Sequence, residues 1–360
     1  MHWQELADRV VPILGFLLCI TVVADLADRV GVFAVLAGRM AVLARGSVAG
    51  LWALVVVLAT VSTAVLSLDT TAVLLTPVVL TLAAQLRLDR ALFAYTTVWL
   101  ANTASMILPV SNLTNLLALH VLHLDAPRFA QLMWPAALAA VAVTVAGLAV
   151  IFRRSLRGHY PQAPSVVIRD RPLLALAMAV CGLLGPAFAV GVDVTYGSAV
   201  AALVLVVGCL LRAPHLLSWR LLPWRLILGV SVLFVVVQVA HDHGLAGLLG
   251  RAAGASGTDW LDLLQLAGVA ALGANLVDNL PSYLAMEPVA QGSPIRLAAL
   301  LVGVNAGPLV TPWASLATLL WAGRCRAAGV PISWRTFTLR GLVLVPLLLT
   351  ACITALALSS

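Results

Sequence analysis

Lysine is absent, and charged residues of every kind make up only 10% of the 360-residue chain, too few to coat a soluble domain of this size. All 21 basic residues are Arg. They fall in short segments between apolar runs, so the formal net charge of +7 reads as a topology signal rather than a nucleic-acid footprint. No long polar segment leaves room for a soluble catalytic domain. A Walker loop and a nucleophile elbow are both missing, which argues against ATP hydrolysis by this chain and against an enzyme. Cysteine is sparse: Cys19, Cys181, Cys209, Cys325 and Cys352 lie far apart with no CxxC. They read as small buried apolar residues, and no disulfide, metal or cofactor framework is expected.

What remains is hydrocarbon. Apolar residues account for 62% of the chain and mean hydropathy is +1.07. Runs of about 20 apolar residues recur, each able to cross a hydrocarbon core of about 30 Å. The first, Val10 to Ala24, lacks a basic leader and a small-residue cleavage site and is expected to be retained as a span. A short interfacial helix is predicted from Gly31 to Arg45. Trp52–Leu66 and Thr71–Ala84 are short arms meeting at Ser67-Leu-Asp69-Thr70-Thr71, the pattern of a re-entrant hairpin. Leu92 to Leu122 is too long for one straight span and carries Pro109 near its middle, where a break is predicted. Gln131–Phe152 closes the unit. A loop with five Arg and one Asp, Arg153 to Arg171, leads to two plain spans, Pro172–Val190 and Gly197–Leu211.

The first pattern then returns. ILGFLLCITVVADLADRVG from Ile13 resembles ILGVSVLFVVVQVAHDHG from Ile227. Asp69-Thr-Thr corresponds to Asp278-Asn279-Leu-Pro281. At one constant offset, Asn102, Pro109, Leu113, Leu116 and Leu117 match Asn305, Pro312, Leu316, Leu319 and Leu320. Weak internal symmetry with interrupted apolar segments points to a secondary transporter. The fold expected is an all-α polytopic membrane protein: a first repeat over 1–152, a basic loop and two linking spans over 153–211, and a second, inverted repeat over 212–360. Putting the Arg153–Arg171 loop in the cytoplasm leaves only Arg9, Arg128, Arg251 and Arg296 outside, in keeping with the positive-inside rule. Both termini then lie outside the inner membrane.

Polar residues concentrate in two stretches, Leu66–Leu117 and Leu272–Leu320. All six Asn lie there: Asn102, Asn112, Asn115, Asn275, Asn279 and Asn305. Some would be glue between packed spans; those beside a break or a hairpin tip, Asn112 and Asn279, are the better solute ligands. A carboxylate near the bilayer centre must be paired, hydrated or protonated, which makes Asp69 and Asp278 candidate proton carriers or cation ligands. Each could equally cap the second hairpin arm. Glu287, beside Pro288, is expected nearer the outer mouth. His241-Asp242-His243 lies at a span's outer end without a companion cluster and reads as a solvated loop.

The motifs SLDTTAVLLTPVV with LPVSNLTNLL, and NLVDNLPSYL with GPLVTPWASLATLLW, resemble the bacterial arsenite/antimonite efflux permeases, within a superfamily that includes divalent-anion/sodium symporters and Na⁺/H⁺ antiporters. The first hairpin tip reads Leu68-Asp69-Thr70 where that family typically has Asn-Asp-Gly, and Asp278 stands where the second tip typically has Asn. The resemblance implies hairpins, broken helices and export of arsenite or antimonite in exchange for protons. It also implies a soluble ATPase subunit as partner in some systems; a homodimer is a candidate assembly. Thr70, Thr71, Ser111, Asn112, Asn275, Asn279, Thr311 and Ser315 are the expected solute ligands, with Asp69 and Asp278 coupling the ion. A Na⁺/H⁺ antiporter, a sodium-coupled anion carrier and the membrane subunit of an ATP-driven pump are the alternatives.

Overall fold

The computed structural model describes residues 3–161, 168–244 and 257–359. The side chains of His241 and Asp242, Arg251 and the middle of the basic loop, 162–167, lie outside the described residues. Among the described residues the regular structure is helical, apart from one isolated bridge between Ser47 and His159. Among the described residues eight helices are long and apolar enough to cross a membrane.

The first, α1 (Trp3–Val30), is longer than the predicted Val10–Ala24 span. It runs on through Asp25 and Asp28, with Arg29 held by one local and two distant partners. Arg29 lies 3.7 Å from Asp25 one turn away and donates to the Leu216 carbonyl and the Ser218 hydroxyl. Gly31, at φ 100°, ends the helix and turns the chain into α2 (Val32–Leu43).

The first hairpin is α3 (Val48–Leu66) followed by α4 (Leu68–Gln85), which holds a π-turn at Thr71–Leu75. Its arms, 19 and 18 residues, are longer than predicted, and one residue, Ser67, separates them. Thr70 and Thr71 therefore lie inside the second arm rather than at a five-residue tip. The predicted break at Pro109 is present: α5 (Arg90–Thr103) and α6 (Leu113–Leu122) are separated by two short 3₁₀ turns and extended residues. Pro109 offers no N–H and forces Leu108 into an extended conformation, φ −128°. Then come α7 (Ala126–Ile151), α8 (Arg171–Ala189) and α9 (Val194–Arg212). Asp170 caps α8 through the Leu173 N–H and pairs with Arg212 at 2.9 Å; those two partners hold its carboxyl below the usual range.

The second unit repeats the order: α10 (Trp224–Asp242), a hairpin of α11 (Trp260–Val277) and α12 (Asn279–Ala290), a broken pair α13 (Pro294–Ala306) and α14 (Leu316–Ala327), and α15 (Trp334–Ser359). The two units interlock. Trp321 of α14 donates to the Ala94 carbonyl of α5, and Arg90 donates to the Ala328 carbonyl at the end of α14.

Lipid tails are as apolar as Leu, so helices in a membrane gain from packing backbones closely on small residues. The α11–α13 contact does this. A Cβ added at Gly303 would meet the Ala267 carbonyl oxygen and, at 2.6 Å, the Ala270 Cβ. Gly303→Ala is expected to destabilise the protein by roughly 1–3 kcal/mol, because the obstructing atoms include backbone that cannot swing aside. Gly268→Ala, on α11 but facing open space, supplies the control. Thermal unfolding in detergent decides: equal melting temperatures for the two variants would refute the close contact.

Candidate functional site

A cavity of about 610 Å³ lies at the centre, and the polar parts of both units meet in it. Its polar wall consists of Ser67 and Asp69 from the first hairpin, Asn112 from the first break, Asp278 and Asn279 from the second hairpin, and Ser315 from the second break. Its apolar wall combines Phe16, Leu17 and Ile20 of α1 and Val230 and Leu233 of α10 with leucines of the hairpins and breaks, among them Leu68, Leu113, Leu116, Leu280 and Leu316.

Four of those polar residues are helix N-caps. Ser67 precedes α4, Asn112 α6, Asp278 α12 and Ser315 α14. An N-terminus exposes backbone N–H groups without intrahelical partners and carries the positive end of the helix dipole. Four such ends therefore face one volume, alongside two carboxylates. The caps consume part of this donor capacity: Ser67 Oγ accepts from Thr70 N, Asn112 Oδ1 from Thr114 N and Asp278 Oδ1 from Leu280 N. The buried Ser315 hydroxyl has no hydrogen-bond partner among the described residues. Asp69, half-buried, has no hydrogen-bond partner among the described residues either.

The two hairpin tips share an unusual backbone. Ser67 has φ 107°, ψ 162°, and Asp278 has φ 125°, ψ 158°, a region that essentially only Gly adopts and that costs about 1–3 kcal/mol per residue. The structural counterpart of Asp278 is thus Ser67, and the pairing of Asp69 with Asp278 is corrected. The N-cap alternative holds for Asp278 and not for Asp69. Ser67 was missed as a site residue because it is chemically plain. A signal existed: the register that pairs Ser67 with Asp278 also pairs Thr76-Pro77 with Glu287-Pro288.

Asn112, Asn279, Ser315, Asp69 and Asp278 of the expected site residues come together at this cavity. The others are drawn into holding the backbone. Thr70 Oγ1 donates to the Leu66 carbonyl, and Thr71 Oγ1 bonds Thr63 and Ser62 across the hairpin. Ser111 Oγ accepts from Leu108 N at 3.1 Å and lies 2.6 Å from Leu108 O, closing the 3₁₀ turn at the break. Asn275 staples the second break: its amide donates to the Gly307 carbonyl and its Oδ1 accepts from Thr311 N at 3.0 Å. Thr311 Oγ1 returns a bond to the Asn275 carbonyl.

Asn305 does what position alone did not reveal. Its Oδ1 accepts from Asn112 Nδ2 at 2.6 Å and from Thr114 Oγ1 at 3.2 Å, while its Nδ2 donates to Asn115 Oδ1 at 2.9 Å. Asn115 in turn donates to the Ser105 and Leu108 carbonyls freed by the first break. One side chain of the second unit thus holds the broken helix of the first. Glu287 is buried, with Arg296 of the next helix also buried and donating to the Gly257 and Val289 carbonyls. Neither lines the central cavity. Among the described residues no group of His, Cys, Asp and Glu could hold a metal ion.

The chain is 27% identical over 338 residues to the arsenical pump membrane protein of Escherichia coli K12, covering 87% of this chain and 78% of the relative. A second Escherichia coli arsenical pump membrane protein is 26% identical over 365 residues, covering 95% and 85%. An uncharacterized transporter of Mycobacterium tuberculosis is 26% identical over 346 residues, covering 89% and 80%. The family model described as citrate transporter matches residues 4–318, most of the length, and the chain belongs to that family.

Proposed function

We propose that this protein is a secondary transporter that exports arsenite or antimonite across the inner membrane in exchange for protons. The observation that carries the reading is the convergence of four helix N-termini and two carboxylates on one cavity with no Arg in its wall among the described residues. Arsenite at neutral pH is a small uncharged polyhydroxyl. Its oxygens suit backbone N–H donors, and its hydroxyl protons suit Asp69, Asp278 and the Asn112 and Asn279 amides. A tricarboxylate would face two like-charged side chains with only dipoles to offset them, a poorer match even though helix N-termini can hold anions. The relatives named arsenical pump membrane protein support this choice over the family's printed description.

In this reading the two units are inverted repeats. The hairpins α3–α4 and α11–α12 enter from opposite faces and turn back at Ser67 and Asp278, and their tips meet near the midplane. Such irregular backbone is tolerated in a membrane where it lines a cavity. Arg153, Arg154 and Arg157 follow the end of α7, Arg169 and Arg171 stand at the start of α8, and Arg212 at the end of α9 pairs with Asp170; the positive-inside rule makes this pole cytoplasmic. Asp69 and Asp278 carry the proton; solute and proton compete for the one site, and a site occupied by either reorients while an empty one does not, which is the requirement for exchange.

The test is uptake of arsenite by everted vesicles containing the protein under an imposed proton gradient. Accumulation that collapses with a protonophore and ignores sodium is the expected result. A specific observation favours one rival: two carboxylates on a single cavity also suit a cation. Sodium-driven proton movement without an arsenite signal would replace the proposal with a Na⁺/H⁺ antiporter.

A further inference from the structure

A second cavity, of about 270 Å³, abuts the first and shares two of its walls, Phe16 and Leu116. The order of residues along two helices makes the relation unambiguous. On α1, Pro12 and Ile13 line only the second cavity, Phe16 lines both, and Leu17 and Ile20 line only the central one. On α6, Leu113 lines only the central cavity, Leu116 both, and Leu119, His120 and His123 only the second. Spacings of three and four residues keep each set on one helix face, so the two cavities form a single track along paired faces of α1 and α6. Phe16 is 2% and Leu116 5% exposed, and both stand where the two cavities adjoin.

The far end of the second cavity is polar. His120 and His123 lie on its wall with ring centroids 6.3 Å apart, and Asp193 and Thr195 face them from the start of α9. Asp193 Oδ1 accepts from Thr195 N and Tyr196 N, so that carboxylate is fixed in place. This end holds the α6–α7 and α8–α9 turns, opposite the pole where Arg153, Arg154, Arg171 and Arg212 gather.

We propose that the His120–His123–Asp193 vestibule is the outer port of the permeation path, a stopping place for a small hydroxylated solute, and that Phe16 and Leu116 are the apolar gate between it and the central site. The inference rests on the transport reading of the central cavity. An apolar pair suits a gate because parting it exposes no unsatisfied hydrogen-bonding group, whereas its closed form excludes water and ions. Four polar N-caps lie on one side and two imidazoles with a carboxylate on the other, so a solute leaves one hydrogen-bonding shell only across the thickness of two side chains.

The experiment is thiol accessibility on the full-length protein, scored above the labelling of the parent chain with its own cysteines. A membrane-impermeant methanethiosulfonate is applied to right-side-out and to everted vesicles. Leu119→Cys, in the vestibule, is expected to label rapidly from the outer face alone. Leu113→Cys, beyond the gate, is expected to label slowly from that face. Adding Phe16→Ala or, from the opposite wall, Leu116→Ala is expected to raise the Leu113→Cys rate about tenfold, the change produced by a tenfold larger open population. Labelling of Leu119→Cys only from the inner face would overturn the port, and a Leu113→Cys rate unmoved by both gate variants would overturn the gate. Because labelling requires no arsenical, its failure is distinguishable from failure of the arsenite assay.

Discussion

Asp278→Asn is expected to reduce proton-driven arsenite export to the level of vesicles lacking the protein while leaving the fold intact. The substitution separates two duties of one side chain. Asp278 caps α12 by accepting from Leu280 N at 3.1 Å, with its backbone at φ 125°. Asn caps a helix as well as Asp and has the same branching, so it meets the same backbone strain and the change in stability should stay below about 1 kcal/mol. Only the titratable charge on the cavity is lost. Asp278→Ala removes charge and cap together and should add about 1 kcal/mol of destabilisation. Export measured in everted vesicles, with melting temperature measured on the same preparations, tells the two duties apart. Export at the parent rate in the Asn variant, with loss only in the Ala variant, would leave Asp278 as a cap and move ion coupling elsewhere. Asp69→Asn is the companion measurement, since Asp69 lines the same cavity but caps nothing.

The tip geometry explains why the sequence was legible at some of these positions and opaque at others. Pro109 announced the first break because a proline removes a backbone donor wherever it stands. Asp278 and Asn279 announced the second tip because a carboxylate and an amide are conspicuous in an apolar run. Ser67 announced nothing. Its role comes from a backbone angle, φ 107°, and a serine hydroxyl is common in packed helices. The threonines beside it misled for the same reason: Thr70 and Thr71 are polar enough to suggest ligands, yet each satisfies its hydroxyl within the hairpin. The reach of α1 was hidden by Asp25, Asp28 and Arg29, which read as a loop until the Arg29 partners on the segment after α9 are known. Long-range partners of this kind have no local signature. The Asn residues show the limit most sharply: position beside a break or tip picked out Asn112 and Asn279, which line the cavity, but Asn275, expected as a ligand, is a staple, and the reach of Asn305 across the units had no local sign.

That division yields the second large effect. Asn305→Ala is expected to destabilise the protein by about 2–4 kcal/mol, far more than Asn102→Ala at the matching place in the first unit, where under about 1 kcal/mol is expected. The two residues occupy equivalent positions in the repeat pattern but unequal surroundings. Asn102 Nδ2 donates to Val98 O within its own helix, and its Oδ1 is buried without a partner among the described residues. Its removal thus costs one local bond. Asn305 joins Asn112, Thr114 and Asn115, all buried, and truncation strands a donor on Asn112 and an acceptor on Asn115. A stranded buried group costs about 1–3 kcal/mol, although interhelical bonds in membranes average nearer 0.6 kcal/mol, so the middle of the combined range is expected. Thermal unfolding in detergent measures the difference. A double-mutant cycle with Asn112→Ala isolates the bond between the units, and its coupling energy should reach about 0.5–3 kcal/mol. Transport should fall with stability here, because Asn112 both lines the cavity and is held by Asn305. Equal, small losses in the Asn102 and Asn305 variants, with no coupling in the cycle, would mean that the bridge between the broken helices contributes nothing and that packing alone joins the two halves.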